Sequence, residues 1–165
     1  FDAFEADIGI PDILVYNPSG RVRGPITEVD PIGTKDALMV TAYGAFLAAQ
    51  QAARRMLKAG HGTMLFTGAS AGEKGYPRSA PFAMGKFALR GLCQSLAREL
   101  SPQNIHIAHF VIDGSILNND RGAPYNDPKT SLDPDEIAKT YLYIARQDPS
   151  AWTWEVELRP SMETF

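Results

Sequence analysis

Three short, largely apolar runs constrain this chain more than any other feature: Ile13-Leu14-Val15-Tyr16, Thr63-Met64-Leu65-Phe66-Thr67, and Ile105 to Ile112. A strand without polar alternation is covered on both faces, and such cover comes from helices that cross between parallel strands. The segments between the runs have helical character. Thr34 to Lys58 is rich in Ala, Leu, Met and Gln, ends in Arg54, Arg55 and Lys58, and is followed by Gly60 and Gly62, as a helix C-terminus prefers. A second helix is expected from about Ala80 to Leu100, with Leu89, Leu92, Cys93, Leu96 and Leu100 on one stripe and Ser101-Pro102 at its end. Asp133-Pro134-Asp135-Glu136 combines a capping Asp, Pro at the first position and acids against the positive dipole end, so a third helix should run from there to about Gln147. Phe1, Phe4 and Ile8 have helical spacing with nothing before them to cap it, which suits the tail of a helix. Trp152 to Leu158 alternates large apolar residues with Thr153, Glu155 and Glu157, which suits a closing strand with one exposed face. The fold class is therefore α/β: a Rossmann-like, doubly wound parallel sheet.

Open parallel sheets bind ligands outside the carboxyl ends of their strands. Three loops should share that rim: Asn17 to Gly20, Gly68 to Gly72, and Asp113 to Ile116. The stretch 113–132 holds Asn118, Asn119, Gly122, Pro124, Asn126, Asp127 and Pro128 and is too long for a plain connection, so it is expected to be a flexible substrate loop.

The 165 residues suffice for one domain, and 44% hydrophobic with 21% charged residues gives it a core. A formal charge of -3 lacks the basic excess that phosphate backbones require, so nucleic acid is not an expected partner. Cys93 is the single cysteine and cannot form an internal disulfide, and no cluster has metal-ligand spacing; no metal is expected. No apolar run reaches the roughly 18 residues of a membrane span, and the opening FDAFEADIG lacks a basic start, so a cytoplasmic protein without a membrane partner is expected.

The segment Phe82-Ala83-Met84-Gly85-Lys86-Phe87-Ala88-Leu89-Arg90-Gly91-Leu92 resembles the helix of the short-chain dehydrogenase/reductase family that carries Tyr, three residues, then Lys and a small, apolar run. Tyr16-Asn17-Pro18-Ser19-Gly20 is similar to that family's Asn-Asn-Ala-Gly turn. Thr67 to Gly72 sits where its catalytic Ser strand ends, and Val111-Ile112-Asp113-Gly114 resembles its Pro-Gly turn over the nicotinamide. In this order the motifs cover the chain as the carboxyl-terminal two thirds of a family domain, a single partial domain over 1–165; the family's N-terminal βαβ half with its Gly-x-x-x-Gly-x-Gly turn is not in this sequence. The resemblance implies NAD or NADP as cofactor, held in part by Asn17, Gly20, Lys86, Asp113 and Gly114, a small-molecule substrate, and a homodimer or homotetramer built on the two long helices.

The same resemblance locates four catalytic positions. The family uses a Tyr as general acid/base, a Lys that lowers its pKa and holds the ribose, a Ser that polarises the carbonyl, and an Asn that supports a water relay. Here the Tyr position is Phe82, the Ser position is Ala69 with Ser70 one residue along and expected to point away, the Asn position is Thr41, and Lys86 alone matches. A phenyl ring transfers no proton, so water, substrate, Asp113 or Tyr76 would have to stand in. Two functions follow as expectations: an atypical NAD(P)-dependent short-chain oxidoreductase acting on a small carbonyl, alcohol or activated alkene, or a catalytically lapsed relative serving as a nucleotide-binding, scaffold or sensor protein. Structural roles compete at each position: Asn17 and Asp113 are also ordinary turn residues, Ser70 suits a small-residue cap, Lys86 a solvated helix lysine, and His106 and His109 internal packing.

Overall fold

The computed structural model describes residues 1–123 and 125–162. In chain order its elements are α1 (Asp2–Ile8), β1 (Ile13–Tyr16), α2 (Pro31–Leu38), α3 (Gly44–Ala59), β2 (Gly62–Thr67), α4 (Ala80–Leu100), β3 (Ile105–Ile112), β4 (Ser115–Ile116), β5 (Ser131–Leu132), α5 (Pro134–Ala145) and β6 (Glu155–Leu158). The four longer strands form one parallel sheet in the order β1-β2-β3-β6. Tyr16, Phe66, His109 and Glu155 stand in register across it. Every residue of β3 is buried, as its place between two strands and two helical layers requires. β1 and β6 are the edge strands, and Ile13 and Val15 of β1 are 47% and 51% exposed.

Two cores lie on opposite faces, as a doubly wound sheet demands. Ala45, Ala49, Ala52 and Met56 of α3 and Leu89, Cys93 and Leu100 of α4 pack on Met64, Phe66, Ile105 and Ile107. On the other face Ile144 of α5 packs with Leu65, Ala108, Phe110 and Ile112, and the Tyr141 ring stacks on Phe110 at 3.6 Å between centroids. Asp133 caps α5 by accepting from the Asp135 N–H at 2.8 Å, as its sequence promised. Arg55 is buried and pairs with Asp2 at 2.5 Å and Glu5 at 2.7 Å, tying α1 onto α3.

The structure corrects four expectations. The first long helix begins at Pro31, capped by Asp30, and is interrupted by a wider π turn at Met39–Tyr43. The Tyr16 hydroxyl donates to the Val40 carbonyl inside that turn, and insertion of such a donor into the ladder is a known cause of helix interruption. Gly44 follows because a Cβ there would meet the Tyr16 hydroxyl at 2.4 Å. Secondly, the closing strand is Glu155–Leu158 only, because the Trp152 ring stacks at 4.7 Å on His106 and leaves the strand direction. Thirdly, the Glu155 side chain is not on a solvent face: it accepts from Arg90 Nε at 2.7 Å and bonds His109 Nδ1 at 2.9 Å. Lastly, the stretch 113–132 is not irregular throughout, since β4 and β5 pair in parallel, Ser115 with Ser131 and Ile116 with Leu132. Pro124 of that stretch lies outside the described residues.

Candidate active site

The loops after β1, β2 and β3 converge on one cavity of about 990 Å³ at the carboxyl ends of the strands, where the sequence located the rim. Asn17, Ala69, Ser70, Phe82, Lys86, Asp113 and Gly114 line it. Gly20 and Thr41 lie behind its wall. The Gly20 N–H donates to Thr41 Oγ1 at 2.8 Å, and a Cβ on Gly20 would come within 2.4 Å of the Ala37 Cα, so this position holds the loop against α2. Gly114 has φ 145°, a backbone conformation that favours glycine.

Lys86 is 2% exposed, so the solvated-lysine reading does not apply. Its Nζ donates to the Thr67 carbonyl at 2.7 Å, and among the described residues this is its one hydrogen bond, leaving two N–H bonds for a ligand. Burial, reinforced by the charge of Arg21 and partly offset by Cys93, brings its pKa down to about 8. Phe82 lies one helical turn earlier. Lys86 Nζ is 5.7 Å from the ring centroid, and the Arg21 guanidinium is 4.3 Å from it.

Ser70 does not point away, contrary to the sequence expectation: it lines the cavity, and its Oγ accepts from the Tyr76 hydroxyl at 3.0 Å. The physical reason is the tight turn at Ser70–Gly72, which begins after the extended Ala69. Asp113 lines the same wall as Ser70 and pairs with Arg159. Desolvation raises the Asp113 pKa, but the bonds from Ser70 and Arg159 and the charges of Arg159 and Lys74 together outweigh it and hold the carboxyl below the usual range. Asp113 is therefore ionised at neutral pH. Two pairs thus meet at this wall, Tyr76 with Ser70 and Asp113 with Arg159. Arg21, Arg23, Arg78 and Arg121 also line the cavity, and sequence reasoning passed over all four. Arg21 and Arg23 follow directly on the Asn17 to Gly20 turn, which was the available signal.

A nicotinamide cofactor carries ribose hydroxyls and phosphates. The buried, incompletely bonded ammonium of Lys86 and the left-handed Gly114 beside it fit such a group at this rim.

Residues 1–116 match the family model of short chain dehydrogenases. Human 17-beta-hydroxysteroid dehydrogenase type 1 is 33% identical over 137 residues, which are 81% of this chain and 42% of that protein. The 3-oxoacyl-(acyl-carrier-protein) reductase MabA of Mycobacterium tuberculosis is 28% identical over 160 residues, 91% of this chain and 64% of that protein. The chain thus spans between about two fifths and two thirds of the length of these relatives. Among solved structures, a short-chain dehydrogenase from Rhodopseudomonas palustris superposes with a TM-score of 0.81 at 33% identity, covering 96% of this chain and 66% of that one. An alcohol dehydrogenase from Thermococcus sibiricus, complexed with 5-hydroxy-NADP, has the same fold with a TM-score of 0.85 at 18% identity, over 99% of this chain and 68% of that one. With the family model matched over residues 1–116 and the doubly wound sheet in place, this chain belongs to the short-chain dehydrogenase/reductase family.

Proposed function

We propose that the protein is a nicotinamide-dependent oxidoreductase that interconverts a small carbonyl compound and its alcohol, with Lys86 holding the cofactor ribose and the hydroxyls of Tyr76 and Ser70 carrying the proton. The observation that supports this most is the 3.0 Å bond between Tyr76 and Ser70 on the wall that also holds Lys86. Solved family members with NADP or a derivative bound support the cofactor. The bound nicotinamide supplies or accepts the hydride.

The protein's own part is orientation and the proton. In alcohol oxidation the substrate hydroxyl gives its proton to the Tyr76 oxygen, Tyr76 passes its own to Ser70, and Ser70 passes its own to Asp113 or to water. Reduction runs the same chain backwards. Arg159 helps keep Asp113 ionised, a carboxylate on the same wall as Ser70. Phe82 takes no part in proton transfer. The exposed Tyr43, Phe46 and Leu47 near the start of the α3 region and Phe87 on α4 suit a homodimer or homotetramer.

The test is NAD(P)H oxidation by the complete protein against a panel of ketones and aldehydes. Turnover is expected, with a loss of roughly 100-fold in kcat for Tyr76→Phe at unchanged cofactor affinity, and a loss of cofactor affinity for Lys86→Ala. Cofactor binding without any turnover would instead assign the chain to the nucleotide-binding or sensor class, and turnover indifferent to Lys86→Ala would remove Lys86 from the cofactor site.

A further inference from the structure

Arg21, Arg23, Arg78 and Arg121 reach the same cavity from three separate segments: the loop after β1, the loop before α4, and the loop between β4 and β5. None of the four has a carboxylate within 4 Å among the described residues, because the ion pairs go elsewhere. The acid on the wall, Asp113, is engaged by Arg159. This gathering of cations stands in a chain whose formal charge is -3, so it does not follow from overall composition.

A solvated surface arginine is normally free to swing, whereas the guanidinium groups of Arg21 and Arg121 rest on aromatic rings. Arg21 lies over the Phe82 ring at 4.3 Å and Arg121 over the Tyr125 ring at 5.1 Å. Arg78 is one of two non-glycine residues described with a left-handed backbone, φ 61°, and its carbonyl accepts from the Gly24 N–H at 3.1 Å, which joins its loop to that of Arg21 and Arg23. Burial of Arg21 and the like charges of Arg23 and Arg121 work against its own charge and are only partly offset by Tyr125. Fixed guanidinium forks without acids are the arrangement that recognises a planar oxyanion.

We propose that the substrate is itself an anion, a keto acid or hydroxy acid whose carboxylate is held by Arg21 and Arg121, with Arg23 and Arg78 adding to the attractive field. This deepens the oxidoreductase reading and rests on it for the carbonyl half of the substrate. The arginines select the charge, while Tyr76 and Ser70 on the same wall meet the reacting oxygen.

Matched probes test it: acetoacetate against ethyl acetoacetate, which share the ketone and differ in the charge. Binding to the complete protein saturated with NADP is measured by calorimetry at low and high NaCl, and turnover with NADPH is followed in parallel. Acetoacetate is expected to bind roughly 10-fold or more tightly than the ester at low salt, with the difference shrinking at high salt. Arg21→Gln with Arg121→Gln should abolish that preference, bringing the affinity for acetoacetate down to that for the ester while NADPH still binds. Arg98→Gln, on the far end of α4, is the control and should change nothing. Equal or tighter binding of the ester by the wild type overturns the proposal. So does a double variant that loses NADPH affinity and keeps acetoacetate, since the arginines would then serve the cofactor phosphates. Charge-dependent binding without turnover would overturn the oxidoreductase reading and leave the anion site standing; turnover of both probes without charge preference would do the reverse.

Discussion

The Arg21 guanidinium rests 4.3 Å from the centroid of Phe82, so the aromatic side chain one turn before Lys86 serves as a platform for a cation. The ring face makes this contact without a hydroxyl. Phe82→Tyr is expected to leave stability within about 0.5 kcal/mol, whereas Phe82→Leu should cost about 1 kcal/mol or more in urea unfolding. A double-mutant cycle with Arg21→Gln should return a coupling of about 0.5 to 1 kcal/mol. A coupling of zero would mean that the stacked pair contributes nothing.

Lys86 is held charged against the preference of its surroundings. Its folded pKa of about 8 lies below the ordinary lysine value, so between those two values the unfolded chain binds the extra proton and stability rises with pH; below about 8 the full penalty applies. Lys86→Met removes that penalty and loses the bond to Thr67, so a net stabilisation of about 1 to 2 kcal/mol is expected at pH 7 together with loss of cofactor affinity. Thermal unfolding at pH 7 and pH 9.5 checks it: the gain should shrink at the higher pH.

His106 and His109 are buried, and desolvation lowers both pKa values, outweighing the Thr153 carbonyl at His106 and Glu155 at His109. The neutral forms belong to the fold. Their stabilisation is fully present above the unfolded histidine value of about 6.5 and is lost as pH falls through the depressed folded values, with a slope approaching 1.4 kcal/mol per pH unit for each group. Denaturant unfolding from pH 7.5 to 5 should show this decline, and His106→Gln should make it shallower. An unchanged slope would place the titration elsewhere.

Gly20→Ala should destabilise by about 2 kcal/mol or more, because the new Cβ would meet the backbone of Ala37 at 2.4 Å and the loop has no slack where its N–H is bonded to Thr41. Gly75→Ala, with nothing within 4 Å of its Cβ, is the comparison and should be close to neutral. Chemical denaturation of the two variants separates steric cost from loss of a glycine as such.

The sheet was legible because its signals are local. Continuous apolar runs mark β1, β2 and β3, and the boundaries of α4 and the Asp133 cap follow from residues within a turn of each end. What escaped the sequence depends on distant partners. The π turn arises from the hydroxyl of Tyr16 reaching Val40, Glu155 turns inward because Arg90 and His109 meet it there, and Ser70 faces the cavity where Tyr76 bonds it. The spacing motifs brought Lys86 to the rim. They carried no signal for Arg78 and Arg121, whose neighbours in sequence are loop residues without periodicity.

The short parallel pair β4–β5 clips together the two ends of the segment that carries Arg121 and Tyr125. Its base is thus closed independently of what lies between, and doubling the length of such a closed segment costs only about 0.6 kcal/mol in chain entropy. The segment is in this sense an exchangeable cassette: substitution or a change of length between β4 and β5 is expected to leave β3 and α5 on either side packed as they are, so what it presents to the cavity can vary without reopening the problem of folding the sheet.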